Sequence, residues 1–321
     1  MKKYLITGYS GFVSHHFLNY LEDQQEACNV LGVDINEPAF DIHSYKYVQN
    51  AFKEIDLLDK VQVDEIIQSY QPDYILHLAS YSSVASSWKH PVTSFVNNTN
   101  IFLNLVDQVR LLGLNCRILS VGSSEEYGKV SPDVLPLHEK LPTNPVSPYA
   151  VARVSQEMLS QIYAKSYGLD IVLTRSFNHI GPGQRDVFAV SSFAKKIINI
   201  KYNSSMEKSI AVGDIDIIRD FVDVRDVVKA YFLLLHKGEK GEIYNICSGE
   251  GISLRKVLEK MMKILRLDLE IIIDKELIRP ADNPIIIGSN NKIKNEIGWQ
   301  PEIALEKSLI DLLNYWQFKK E

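Results

Sequence analysis

The chain has 321 residues, 45% of them hydrophobic, enough for a main domain and a smaller companion, each with its own core. Its net charge of -5 leaves no basic surplus to neutralise a phosphate backbone, so nucleic acid is not an expected partner, and a small anionic ligand must be met by local cations. Cys28, Cys116 and Cys247 lie far apart and form no CxxC pair, which excludes a disulfide framework or zinc ribbon and fits a cytoplasmic location.

The first apolar run, YLIT over 4–7, stops at Gly8, too soon for the core of a signal peptide, and no later run is long enough to span a membrane. It reads as a strand entering TGYSGFVS. There Gly8 allows a tight turn, Gly11 lets the backbone approach a pyrophosphate, and the next helix offers N-terminal amides to that anion. Ser14 takes the place of the usual third glycine. A second strand, VLGVD, ends on Asp34, whose carboxylate can accept from the hydroxyls of an adenosine ribose. That favours NADH, because the 2'-phosphate of NADPH would meet a negative charge unless a basic residue offset it. The plain alternative is an exposed aspartate in a turn.

YILHLA (74–79), RILSVG (117–122) and IVLTRS (171–176) follow, separated by amphipathic stretches. Apolar strands alternating with helices predict parallel βαβ units, so residues 1–180 are expected to form a doubly wound Rossmann sheet of the α/β class. Helices over 94–112 and 148–166 carry leftover apolar residues, Phe95, Phe102, Met158 and Ile162, a pattern of either a homodimer face or ordinary packing. Beyond Gly181 the pattern predicts a helix over 187–202, a strand in IAVGD, a helix over 224–237, the strand of EIYNICSG, and a helix capped by Ser253. Short strands among Pro280, Pro284 and Pro301 and a terminal helix complete a smaller C-terminal mixed α/β substrate lobe, 181–321, with crossing back between the parts allowed. The two parts have no flexible linker, which suggests a ligand cleft between them. His15 and His16 lack a second ligand pair at metal spacing, so no metal site is expected.

GSSEEYG (122–128) and SPYAVARVSQE (147–157) carry a specific likeness. With the glycine turn, they resemble the extended short-chain dehydrogenases/reductases, which include nucleotide-sugar epimerases, 4,6-dehydratases and 4-ketoreductases. RSFNHIGPGQ (175–184), RDFVDVRDVVKAY (219–231), EIYNICSG (242–249) and LIRPADNP (277–284) look like the GDP-sugar 4-ketoreductases of that family, and the likeness covers essentially the whole chain. It implies hydride transfer from NADH or NADPH to the C4 ketone of a GDP-linked 4-keto-6-deoxy sugar, hexose or heptose, in surface polysaccharide precursor synthesis.

Residue by residue, the likeness implies that Ser123 holds the ketone oxygen and that Tyr149 of the family's YxxxK pattern protonates it. Hydride addition builds charge on that oxygen, a positioned phenol can supply the proton, and because phenols titrate near 10 a neighbouring cation is needed. The departure is Arg153, which stands where the family has lysine and which keeps the charge on a larger planar fork. It leaves three readings: a working natural variant, an engineered or impaired form, or a nucleotide-binding protein without catalysis. Glu125 matches the base of the dehydratases or orients backbone near the nicotinamide. The likeness also implies a cofactor set of Gly8, Ser10, Gly11, Phe12, Val13, Asp34, Asp56, Leu57, Leu78, Ala79, Asn97, Tyr149, Arg153, Phe177 and His179. For the sugar nucleotide it implies Ser82, Ser83, Asn178, Arg219 and Arg279, the two arginines on the diphosphate. The plainer readings are a turn for the two serines, a structural His179, and Arg219 paired with Asp220 or Asp223.

Overall fold

The structure, a computed structural model, describes residues 1–203, 205–278 and 283–319. The chain runs β1 (Lys2–Thr7), α1 (Phe12–Asp23), β2 (Cys28–Asp34), β3 (Val48–Glu54), α2 (Lys60–Tyr70), β4 (Tyr74–His77), α3 (Val84–Lys89), α4 (Pro91–Leu111), β5 (Arg117–Ser123), α5 (Pro148–Lys165) and β6 (Asp170–Ser176). It continues with β7 (Asn178–Ile180), α6 (Ala189–Tyr202), β8 (Ser209–Val212), β9 (Ile218–Asp223), α7 (Val224–Lys237), β10 (Ile243–Ile246), β11 (Gly251–Ser253), α8 (Leu254–Leu265), β12 (Glu270–Ile273), β13 (Ile285–Ile286), α9 (Asn291–Ile297) and α10 (Leu305–Phe318).

Seven strands form one sheet in the order β10-β6-β5-β4-β1-β2-β3, and every pairing in it is parallel. Both faces are covered, as parallel strands require. Successive residues of each strand alternate between two cores: Leu5, Ile75, Ile118 and Ile171 face α2, α4 and α5, whereas Tyr4, Ile6, Leu76 and Leu119 face α1, α7 and α9. The strand β3, which the sequence reading did not propose, lies on the sheet edge, where Gln49, Ala51 and Lys53 are exposed. The chain crosses back after its first excursion, since α7 and β10 pack on and extend the main sheet.

The smaller lobe centres on β9, which pairs with β11, β13 and β7, while β8 and β12 form a separate pair. Its core joins α6, α8 and α10. Ser253 does cap α8, its Oγ accepting from the Lys256 N–H at 3.2 Å. Phe102 corrects the expected outer apolar face: it is fully buried in the core between α4 and the sheet, while Phe95, Met158 and Ile162 stay exposed. Helical spacing alone does not tell which flank of α4 meets the sheet.

Candidate active site

The strand order reverses between β1 and β4, and the loops leaving their carboxyl ends open a crevice there. Gly8 turns with φ +69, and a Cβ on it would stand 2.7 Å from the Ala79 amide nitrogen, so both conformation and space demand glycine. The neighbouring Thr7 Oγ1 accepts from Ala79 N–H at 3.1 Å and lies 2.9 Å from His77 Nδ1, which locks the two loops together. Helix α1 follows Gly11 as its N-cap, with no acidic residue in its first turn, and among the described residues no side chain caps it. Its leading amides, from Phe12 and Val13 onward, thus suit an anion. Asp34 accepts from the Ser10 and Asn36 amides at 3.1 and 3.2 Å, and Ser10 Oγ donates to the Asn36 carbonyl at 2.5 Å. The next strand closes on the same corner: Ile55 N–H donates to the Asp34 carbonyl, Asp56 accepts from the Leu58 amide, and Leu57 is buried. A cradle that a Cβ would fill, an uncapped helix start and a carboxylate at the end of β2 fit a dinucleotide.

The groups expected to carry the chemistry stand on β5 and α5. Ser123 ends β5 and caps a 3₁₀ turn, Ser124–Tyr127: its Oγ accepts from the Glu125 N–H at 3.2 Å, while its own amide donates to Glu126 Oε1 at 2.6 Å. Because the oxygen accepts from the backbone, its O–H proton is left to donate outward. Helix α5 opens with Ser147 as cap, accepting from Ala150 N–H, and Pro148 in its first turn. Tyr149 and Arg153, one helical turn apart, share a face. Arg153 Nε donates to the Tyr149 hydroxyl at 3.2 Å, and the guanidinium also lies over the phenol ring, 5.4 Å from its centre. The other guanidinium nitrogens donate to Val121 O (3.2 Å), Gln156 Oε1 (2.5 Å) and Ser80 Oγ (2.6 Å). Arg153 therefore ties β5, α5 and the loop after β4 to one point.

Beneath Ser123 sits a second buried cation that the sequence reading did not single out. Arg175 donates from Nε and NH2 to both oxygens of Glu157 at 2.8 Å and covers the Tyr127 ring. Glu126 completes the cluster, 3.9 Å from Arg175 Nε. Burial and the adjacent Glu157 carboxylate raise its pKa well above the usual carboxylate range. A side chain on Gly122 would collide with Glu126 Oε1 at 2.5 Å. The glycine before Ser123 admits this carboxyl.

The remaining expected residues fall as follows. Leu78 and Ala79 line the crevice, and Phe177, buried after β6, bonds through its amide to Ile246 O. Asn97 bonds back to its own helix at Thr93 O, while its neighbour Asn98 accepts from Ser80 Oγ and the Tyr81 amide, holding the loop that meets Arg153. Ser83 caps α3, accepting from the Ser86 amide, and Ser82 precedes it half-buried. His179 Nε2 is buried with no hydrogen-bond partner among the described residues, and burial lowers its pKa to about 4. Asn178 donates to Asp220 O at 3.3 Å. Arg219 is buried rather than solvated, donating to the carbonyls of Ile218 and Asn283 at 2.9 and 2.7 Å. Asp220 is instead taken by Ser248, Gly249 and Gly288 donors, and Asp223 pairs with Arg225 and Ser308. Arg279 lies outside the described residues.

A doubly wound sheet with this glycine turn, and a serine, tyrosine and cation at its switch point, define an extended short-chain dehydrogenase/reductase. The chain belongs to the GDP-mannose 4,6 dehydratase family, whose sequence model matches residues 5–312. It is 33% identical to the GDP-6-deoxy-D-mannose reductase of Pseudomonas aeruginosa over 98% of this chain and 97% of that one. It is 30% identical to the UDP-glucuronate 4-epimerase of Thermodesulfobacterium geofontis over 98% and 96%. Among solved structures it resembles RMD from Pseudomonas aeruginosa complexed with NADPH, with a TM-score of 0.85, 32% identity, and 99% and 100% of the two chains covered.

Proposed function

We propose that the protein reduces the C4 ketone of a GDP-linked 4-keto-6-deoxy sugar, hexose or heptose. The carrying observation is the Tyr149 hydroxyl held by Arg153 Nε at 3.2 Å on the helix packed beside Ser123. The reductase relative at 33% identity supports the choice of reaction. NADH or NADPH, held by the Gly8–Val13 turn and Asp34, supplies the hydride when bound. Asp34 favours NADH, since its carboxylate would face a 2'-phosphate.

Ser123 donates its free O–H to the ketone oxygen and orients the carbonyl, and Tyr149 gives its proton to the oxygen as negative charge develops. Arg153 stabilises the phenolate left behind and offers a guanidinium N–H to the nicotinamide ribose. Asn178, Ser82 and Ser83 border the sugar, and Arg219 with Arg279 neutralise the diphosphate. The apolar residues left outside on α4 and α5, Phe95, Met158 and Ile162, are the proposed homodimer face.

Purified protein incubated with GDP-4-keto-6-deoxymannose and either reduced cofactor is expected to oxidise the cofactor stoichiometrically, NADH with the higher kcat/KM. No oxidation of either cofactor with several 4-keto sugars overturns the proposal. Glu125, two residues after Ser123 and bonded to its Oγ through its amide, supports a second reading, 4,6-dehydration, and the epimerase relative at 30% identity supports C4 epimerisation. Conversion of GDP-mannose to its 4-keto-6-deoxy derivative, or of a GDP-hexose to its C4 epimer, without net change in the cofactor decides for it.

A further inference from the structure

A buried arginine, with five N–H donors to satisfy, needs more than its charge. Arg153, Gln156 and Ser160 occupy one stripe of α5 facing β5, and all three are buried, Gln156 to within 1%. The amide of Gln156 has one sensible orientation. Its Nε2 lies 2.9 Å from Ser120 Oγ and 3.3 Å from Val121 O, while its Oε1 receives Arg153 NH1 at 2.5 Å. Turned over, the amide would set its N–H groups against those of the guanidinium and its oxygen against the Val121 carbonyl. Ser160 braces the arrangement from the next turn, with Oγ 2.9 Å from Ser120 Oγ and 2.8 Å from the Gln156 carbonyl.

We propose that Gln156 is a positioning residue, whose side-chain carbonyl, set by Ser120 and Ser160, anchors one end of the Arg153 guanidinium so that Nε meets the Tyr149 hydroxyl. The proposal rests on the reading of Tyr149 as proton donor. It also explains how an arginine serves at this place. A lysine ammonium has three donors on an unbranched stem and no second nitrogen to reach Gln156 while another meets Tyr149. Gln156 and Arg153 thus belong together, and Arg153→Lys alone leaves the Gln156 oxygen buried without its donor.

The test is a double-mutant cycle of Gln156→Met and Arg153→Lys, read in kcat, sugar KM and the dissociation constants of both reduced cofactors, with thermal melting as a check on folding. Gln156→Met is expected to lower kcat about 10- to 100-fold with sugar KM within about threefold, because it moves the cation and not the sugar pocket. In the Arg153→Lys background the same change is expected to cost under about threefold, the non-additivity of a coupled pair. Ser120→Ala, which leaves the acceptor in place but removes the hydroxyl that orients its amide, is expected to lower kcat about three- to tenfold with Arg153 and under about twofold with lysine. Parental kcat in a folded Gln156→Met protein, or an equal loss in both backgrounds, overturns the proposal. So does a folded Ser120→Ala protein with parental kcat, and Ser120→Ala decides alone should the methionine variant not fold. If the parent turns over no keto sugar, the function reading fails separately. The coupling is then read in cofactor dissociation constants, where Gln156→Met is expected to weaken binding about tenfold with Arg153 and under about threefold with lysine. Equal weakening in both overturns the proposal there too.

Discussion

Two buried arginines stand within one site and have opposite uses. Arg175 is neutralised by a two-pronged pair with Glu157, with Glu126 beside them. Arg153 donates only to neutral oxygens, those of Tyr149, Val121, Gln156 and Ser80, and among the described residues no carboxylate pairs with it. A paired cation projects little field beyond its partner, so Arg175 serves as a scaffold under Ser123. An unpaired one keeps its field for a neighbour, and the neighbour here is a phenol. Low dielectric makes both arrangements consequential.

The comparison makes its largest demand on Tyr149. Tyr149→Phe is expected to lower kcat by about 10³-fold or more, since it removes the proton the proposed reduction needs, while cofactor affinity stays within a few-fold. Lost cofactor binding would make the tyrosine structural and remove the reason for an unpaired Arg153. The scaffold role of Arg175 is next. Arg175→Met leaves Glu157 buried without its cation and is expected to cost about 3–5 kcal/mol of stability in denaturant unfolding. A variant as stable as the parent would sink the division of labour between the two arginines.

The smallest effect sharpens the chemistry of the paired cluster. Glu126 binds its proton more tightly in the folded chain than in the unfolded one, because burial and then Glu157 oppose its charge. Its contribution is therefore fully present below the ordinary carboxylate pKa and is lost as pH rises through its raised value. Glu126→Gln holds a neutral group there at every pH. The variant is expected to melt about 2–4 °C above the parent at alkaline pH, with the advantage vanishing in mild acid. An identical pH dependence for parent and variant would mean that Glu126 is ionised, and with it that the cluster is not neutral.

Some of this was readable from the chain because it is local. A glycine turn between strand and helix, a serine capping α8, and a tyrosine and arginine one helical turn apart depend on a few neighbouring residues, and each stands where its spacing puts it. The alternation of apolar strands with helices likewise announced the parallel sheet, because both faces of such a sheet must be covered. Non-local facts were out of reach. Strand β3 is half polar because it sits on an edge, and Phe102 looks like an outer-face residue until the sheet is set against it.

The sequence by itself determined the fold class, the glycine turn, and the serine, tyrosine and cation that the proposed function uses. Only the tertiary structure decided what each cation touches. Gln156 has no role until Ser120, on another element, orients its amide, and Glu126 is one more acid in GSSEEYG until Glu157 and Arg175 close around it. Burial and opposing partners set the properties of such groups, and both arise only when distant segments pack.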